Sequence, residues 1–272
     1  MKRLLAQYPN VSRIILATLL FAVVLVLSII FNKGVVKQYF PYTAPILLFL
    51  ATWFFYKGEG KTLKAIGLNF SLRNLLCLPL GILIGAFAFF GAKYLRAVLV
   101  GETFELSLSI DYSTILYAFY FILPQVATEE LLFRGYLFKK TIEIFNVVVA
   151  NVIFSILFML IHVLDEGVLN NMGMIVMLGI SIPVGHLLFA TGLLKCKTLY
   201  FPIGLHLGNN WATRHLISSG NSGESIFFIP NTVVFDTWTP FIAMLILFNG
   251  FYLLVTFLIW KWNDLLLFRR KT

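Results

Sequence analysis

The sequence predicts an all-α fold, a polytopic transmembrane helical bundle of about eight spans. Of its 272 residues, 60% are hydrophobic and only 12% are charged. The charged residues cluster between apolar runs, and those runs are long enough to cross a hydrocarbon core of about 30 Å. A soluble domain of this size would spread its charges over its surface. We therefore expect a single transmembrane domain, residues 1–272, with no room for a second, soluble one.

Each span is an apolar run that is bounded by polar or turn-forming residues. In chain order the runs predict spans near residues 14–31, 42–56, 75–100, 113–138, 145–164, 172–194, 198–217 and 240–260. The first run lacks a small-residue cleavage pattern at Phe31-Asn32-Lys33-Gly34 and is long for a signal peptide, so we interpret it as a retained span. The longest loop, about 218–239, is rich in Gly, Ser and Asn, and we expect it to form an external lid that is flexible or partly ordered.

Basic residues indicate how the chain is oriented, because they accumulate on the cytoplasmic side. With the N-terminus inside, the outside segments hold only five of the 21 Lys and Arg residues: Lys33, Lys37, Lys93, Arg96 and Arg214. The sequence thus predicts that both termini are cytoplasmic. Orientation also explains the net charge of +9 better than nucleic-acid binding does, since no basic face or nucleic-acid motif is present.

Two cysteines, Cys77 and Cys196, lie near span ends on the predicted cytoplasmic side. Thiols stay reduced in that compartment, so neither a disulfide nor a thiolate metal site is expected.

The first polar insertion within an apolar run is Glu129-Glu130, followed by Arg134. A charged side chain at the centre of a span costs roughly 2.5–3.5 kcal/mol, so such groups usually face the interior of a bundle or a watery cavity. On a helix, Glu130 and Arg134 lie one turn apart and can pair, whereas Glu129 points about 100° away. The alternative is an ordinary salt-bridged helix end near the inner boundary, which the second glutamate disfavours.

Each of two later spans carries a histidine that shares a helical face with another residue four positions away. His162 follows Phe158, and His206 precedes Asn210. Taken alone, each could be a hydrogen-bonded packing residue, as we interpret His186 and, at a span end, His215. Gly204 and Gly208 flank His206 at the spacing that allows close approach of helices. Three polar sites on three spans together favour an active site.

The residue types also bear on cofactors and nucleophiles. The chain lacks H-E-x-x-H, and a Zn²⁺ or other divalent site would have to combine Glu129, His162 and His206 from separate helices. We expect that no cofactor is required and keep this metal set as the alternative. No G-x-S-x-G is present, and neither cysteine lies near the three motifs, which disfavours a serine or cysteine nucleophile.

With these residues in view, the chain resembles the CAAX-protease and bacteriocin-processing (CPBP) family of intramembrane proteases, which includes the type II prenyl endopeptidases. The resemblance covers about residues 113–217 and depends on three motifs in order: Glu129-Glu130-x-x-x-Arg134, Phe158-x-x-x-His162 and His206-x-x-x-Asn210. It implies that Glu129 and His162 activate the attacking water, that His206 and Asn210 hold the oxyanion, and that Glu130 and Arg134 support the site structurally.

The resulting hypothesis is an intramembrane endopeptidase that cuts a membrane-associated peptide or protein, of the CAAX or bacteriocin type. The rival is a non-catalytic immunity or scaffold protein in the membrane, and a transporter is disfavoured because no internal repeat is apparent. The expected partners are this substrate and the lipid bilayer, without nucleic acid, and the oligomeric state is left open. The expected location is a bacterial plasma membrane.

Overall fold

The computed structural model describes residues 9–262, and within them the chain is almost entirely helical. The helices are α1 Pro9–Phe31, α2 Gly34–Tyr39, α3 Thr43–Gly58, α4 Leu72–Val100, α5 Tyr112–Phe133, α6 Tyr136–Ile144, α7 Val147–Val163, α8 Glu166–Leu169, α9 Met172–Cys196, α10 Tyr200–Trp211 and α11 Trp238–Lys261. A 3₁₀ turn, Leu63–Ile66, precedes α4, and a π-helical segment, Ala212–Leu216, extends α10. The basic residues Lys2, Arg3, Arg269, Arg270 and Lys271, which contribute to the predicted orientation, lie outside the described residues.

Every predicted span contains one or more helices, which confirms a helical membrane bundle. Five stretches are long and apolar enough to cross a membrane: Pro9–Phe31, Leu72–Val100, Tyr112–Ile144, Met172–Cys196 and Trp238–Lys261. Large apolar side chains such as Leu83 and Ile246 are 69% and 67% exposed, which suits a surface that faces lipid. The remaining three, α3, α7 and α10, have 16, 17 and 12 residues and are short for a full crossing.

The fourth predicted span is not one continuous helix. α5 ends at Phe133, and a separate helix, α6, begins at Tyr136. At the break, Gly135 has no side chain, and a Cβ there would lie 2.1 Å from the Leu131 carbonyl oxygen. The predicted span 113–138 therefore contains a helix break, because the chain turns one residue after Arg134 and the amphipathic segment 136–144 packs back against α1 and α7.

Helices α4 and α10 pack with their backbones in contact. A Cβ on Gly204 would lie 2.3 Å from the Leu78 carbonyl oxygen, and one on Gly208 would lie 2.0 Å from that of Ile82. The close approach predicted from Gly204 and Gly208 is thus present. Gly81 and Gly85 supply the matching face of α4, where a Cβ on Gly85 would lie 2.0 Å from the carbonyl oxygen of α10 residue Leu205.

The end of the bundle where α4 stops is closed by three short strands, and we call it the strand end. β3 (Phe227–Phe228) lies between β1 (Glu105–Leu106), with which it is antiparallel, and β2 (Ile217–Ser218), with which it is parallel. Hydrogen bonds from the backbone of Ser107 and Asp111 to segment 223–226 reinforce this cap. The sequence predicted that loop 218–239 is either flexible or partly ordered, and the structure shows that it is partly ordered.

At the opposite end, a buried carboxylate joins α1, α3 and α6. Glu59 accepts hydrogen bonds from Tyr136 (2.6 Å) and lies 2.8 Å from Lys140 Nζ, 3.1 Å from Lys61 Nζ and 3.7 Å from Arg13 Nη1. Burial alone would raise the pKa of Glu59, but the hydrogen bonds from Lys140, Tyr136 and Lys61 outweigh it and lower the pKa to about 2. Glu59 is therefore ionised and holds this end, the Glu59 end, together.

Candidate active site

The Glu130–Arg134 pair lies at the centre of the bundle. Arg134 Nη1 donates to Glu130 Oε1 at 3.1 Å, one helical turn apart, and both side chains are fully buried. Their pairing is the one that the spacing predicts. An ion pair withdrawn from water needs further partners to offset its desolvation. Within residues 9–262, Arg134 Nε and Nη2 and Glu130 Oε2 have no hydrogen-bond partner, so side chains meet this need only in part.

One of these partners is His206 on α10. Its Nδ1 lies 2.8 Å from Glu130 Oε1, and its Nε2 lies 3.6 Å from Glu129 Oε2. The imidazole therefore lies between the two adjacent glutamates of α5. A carboxylate accepts hydrogen bonds, so Nδ1 carries a hydrogen, and Nε2 is the nitrogen left for Glu129, water or a substrate.

Formal charges balance within this group of four side chains. Glu129 and Glu130 each contribute one negative charge, and Arg134 contributes one positive charge. A doubly protonated His206 makes the cluster neutral, and in that form Nε2–H becomes a hydrogen-bond donor.

Aromatic rings hold the charged groups in place. The guanidinium of Arg134 lies 4.3 Å from the ring centroid of Phe158 and 5.2 Å from that of Phe189. Phe189 also stacks on His206 at 4.6 Å, and Phe158 lies edge-on to His162 at 4.8 Å and to His206 at 6.1 Å. The Phe158 ring thereby links the second motif to the first and third.

A cavity of about 760 Å³ adjoins this cluster and is lined by four predicted site residues, Phe158, His162, His206 and Asn210. Most of the wall is apolar, with Phe89 and Phe248 among its residues. His162 Nδ1 lies 2.8 Å from the carbonyl oxygen of Phe158 and must donate to it, so in neutral His162 the other nitrogen, Nε2, accepts protons.

Asn210 stands beside a second polar pair in the same cavity. Asn209 Nδ2 donates to Asn210 Oδ1 at 3.2 Å, and the Tyr252 hydroxyl donates to Asn209 Oδ1. These bonds fix both amides. Because its oxygen accepts from Asn209, Asn210 presents its Nδ2 group as a donor.

Glu129 accepts fewer hydrogen bonds than Glu130. Gln125 Nε2 donates to its Oε1 at 3.1 Å, whereas its Oε2 is buried and has no hydrogen-bond partner within residues 9–262. Glu130 Oε1 accepts from both Arg134 and His206, whereas Glu130 Oε2 is also buried without a partner in the described part of the chain. A buried carboxylate oxygen without a donor is ready to accept a proton or a water hydrogen.

Several site residues carry no distinct sequence signal. Gln125 precedes Glu129 by one turn, so helical spacing could have indicated it, but Phe189, Asn209 and Tyr252 reach the site only through tertiary packing. Both ring nitrogens of the fully buried His186 lack partners in the described part of the chain, and His215 Nδ1 lies 2.8 Å from the carbonyl oxygen of Glu224. Neither contributes to the cluster around Glu129.

The alternative metal set does not assemble in this arrangement. Among the described residues, no three His, Cys, Asp or Glu side chains lie close enough together to hold an ion, and this includes Glu129, His162 and His206. His206 directs both nitrogens at carboxylates instead. The donor set therefore does not fit a metal, and we derive no step through one.

The comparisons with known proteins bear on the segment that contains all three motifs. Residues 111–212 match the family model described as type II CAAX prenyl endopeptidase Rce1-like. The search of curated proteins gave no match, and neither did the search of solved structures. The matched segment begins at the N-cap of α5 and ends just after α10, so it contains Glu129, Glu130, Arg134, His162, His206 and Asn210. Over residues 111–212, the chain is thus similar to the CAAX-protease family that its motifs had indicated.

Proposed function

We propose that this protein hydrolyses a peptide bond of a membrane-associated peptide or protein, with water activated by Glu129 and His162. The oxyanion is held by Nε2–H of His206 and the Nδ2 group of Asn210, and Glu130 with Arg134 fixes His206. One observation carries the proposal. The buried, unpartnered Oε2 of Glu129 faces His206 Nε2 at 3.6 Å, and His206 lines the cavity of about 760 Å³ together with His162 and Asn210.

The proposed reaction uses these groups in sequence. Water adds to the carbonyl carbon of the scissile bond while Glu129 takes one of its protons, assisted by His162 Nε2. The carbonyl oxygen becomes the oxyanion and accepts hydrogen bonds from His206 and Asn210. The C–N bond then breaks, and the leaving nitrogen receives the proton held by Glu129. Removal of one oxyanion donor typically costs about 10²–10³ in rate, which indicates the size of that contribution.

Burial of the site supports an intramembrane rather than a soluble substrate. The cavity walls are apolar and the surrounding helices expose apolar side chains, so a substrate can reach the site from the lipid, while water enters through the cavity. We further propose a bacterial plasma membrane with cytoplasmic termini. A reporter after Thr272 should then be cytoplasmic, and one inserted near Ser219, at the strand end, external.

The decisive experiment compares protein termini in membranes of cells that contain the parent or Glu129→Gln. Glutamine keeps the shape of the side chain and removes the proton acceptor, so termini produced by the parent should be missing while the variant melts at the parent's temperature. Glu105→Gln, in exposed strand β1, is the matched control and should leave every terminus in place. Termini that persist in Glu129→Gln would sink the proposed mechanism and favour the non-catalytic scaffold.

The same cleavage, repeated with purified protein and strong chelators, separates the mechanisms. A glutamate–histidine base should survive complete metal removal. Activity that is lost on chelation and restored by zinc would instead make Glu129, His162 and His206 metal ligands.

A further inference from the structure

Three cations line the cavity beside the proposed catalytic residues. Lys93 and Arg96 lie one turn apart on α4, and Arg214 lies in the π-helical segment that follows α10. The lining includes no Asp or Glu from the described part of the chain. The sequence related these three residues only to membrane orientation, whereas the structure places all of them in the lining of the cavity.

Arg96 is already neutralised. It forms an ion pair with Glu102, its Nη2 donates to the Val233 carbonyl oxygen at 3.0 Å, and its guanidinium lies 5.6 Å from the Phe235 ring centroid. Glu102 in turn accepts from the backbone N–H of Val233 at 2.9 Å. Arg96 therefore ties the loop before α11 to α4, and its charge is not available to a ligand.

Lys93 and Arg214 differ from Arg96 in this respect. Within residues 9–262, the half-buried ammonium of Lys93 has no hydrogen-bond acceptor and no carboxylate within ion-pair distance. The contact recorded for Arg214 is with a neutral group, Gln125 Oε1, at 3.5 Å. Arg214 is exposed, so water screens its charge, whereas the charge of the half-buried Lys93 is screened less and attracts an anion more strongly than it would in water.

Gln125 connects this charge to the reaction centre. Its Oε1 contacts Arg214, and its Nε2 donates to Glu129 Oε1 at 3.1 Å. A single side-chain amide therefore separates the guanidinium of Arg214 from the proposed base. An anionic group bound by Arg214 would lie within a few residues of the scissile bond of an extended peptide, since each residue spans about 3.3–3.6 Å.

We propose that Lys93 and Arg214 bind a carboxylate of the substrate peptide next to the scissile bond, and so determine which peptides enter the cavity. This inference rests on the proposed function, because it assigns the two cations to the substrate of that site. Both residues lie outside the matched segment 111–212, so the subsite belongs to parts of the chain that the family match does not cover. Guanidinium and ammonium groups are the usual partners of a carboxylate.

The test measures binding separately from cleavage. The full-length Glu129→Gln protein, in nanodiscs of phosphatidylcholine, is titrated calorimetrically with N-dodecanoyl tetraleucine that ends in either a carboxylate or an amide. We expect the carboxylate form to bind at least about 10-fold more tightly, since a charge-assisted hydrogen bond contributes about that factor. Adding Lys93→Gln or Arg214→Gln should reduce the ratio severalfold, and adding both should bring it near one. Lys37→Gln, which removes an exposed lysine of α2, should leave the ratio unchanged.

Each other outcome overturns the inference. Equal binding of the two peptides shows that the cavity does not select an anion, and a preference that survives both substitutions assigns it to other residues. The titration is repeated in nanodiscs that contain phosphatidylglycerol. If Lys93→Gln and Arg214→Gln alter only the effect of this lipid, the cations bind a headgroup and not the peptide. Because the binding protein is inactive by design, a failure of the endopeptidase proposal would appear only in the termini comparison.

Discussion

Replacing Gly208 with alanine tests whether the contact between α4 and α10 positions the active site. The added Cβ would lie 2.0 Å from the Ile82 carbonyl oxygen, and an ordinary contact starts at 3.4 Å. Backbone atoms cannot rotate away as a side chain can. The two helices must therefore separate by about 1.4 Å at this point.

That displacement acts on His206, two residues earlier on the same helix. His206 bonds to Glu130 at 2.8 Å and faces Glu129 at 3.6 Å, and both glutamates belong to a separate helix, α5, so a shift of α10 would change these distances. A misplacement of about 1 Å can cost about 10² in rate. Overpacking of a well-packed core typically costs about 1–3 kcal/mol of stability. Gly208→Ala should thus lower turnover about 100-fold and lower the melting temperature by several degrees.

The assay uses a peptide spanning a cleavage site found in the termini comparison, with melting followed in the same detergent. Gly250→Ala is the matched control, because a Cβ there meets nothing within 4 Å and alanine suits a helix interior. Gly85→Ala should reproduce the effect from the α4 side, where its Cβ would lie 2.0 Å from the Leu205 carbonyl oxygen. Parent-like turnover and melting in Gly208→Ala would refute the reasoning.

Three further predictions concern other parts of the molecule. Arg134→Ala leaves Glu130 buried and without its cation, so unfolding should cost about 3–5 kcal/mol less, read from thermal or denaturant melts; an equally stable but inactive protein would instead mean that Arg134 contacts substrate. Asn210→Ala should lower kcat by about 10²–10³ with little change in KM, and His206→Ala should do the same; a raised KM with unchanged kcat would assign them to substrate positioning. Glu59→Gln should lower the melting temperature at pH 7. The pKa of Glu59 is lowered to about 2 in the folded protein, so its contribution to stability is complete above pH about 4.5 and is lost as the pH falls towards 2. The difference in melting temperature between parent and variant should therefore disappear over that interval. A constant difference would contradict the ionised role of Glu59.

Local sequence patterns predicted what depends on local geometry. Apolar runs gave the order of the helices, because a segment that crosses the hydrocarbon core of the membrane must be predominantly apolar. The i,i+4 spacing gave the Glu130–Arg134 pair, and the small residues Gly204 and Gly208 gave the close approach of α10 to another helix. All three patterns require only the helical repeat.

Features that depend on tertiary packing could not be read in this way. The break after Arg134 interrupts a run whose hydropathy is continuous, so the predicted span extended past the true end of α5. Phe189 reaches His206 from α9, a neighbour that no spacing specifies. Lys93 and Arg214 are more than 100 residues apart in the chain, and only the folded bundle places both in one cavity.

The shortness of α10 has a consequence for the way the protein is made. Eight consecutive residues, Phe201–Gly208, are buried, so this helix touches protein on every side and offers lipid almost no apolar surface of its own. At 12 residues it extends about 18 Å, too little to insert as an independent span. It must instead join helices that are already in the membrane, and its main partner, α4, is synthesised about a hundred residues earlier. Because α10 carries His206 and Asn210, the proposed hydrolytic site would be complete only late in translation, and under that proposal the nascent chain could not cut itself or its insertion machinery before that helix docks.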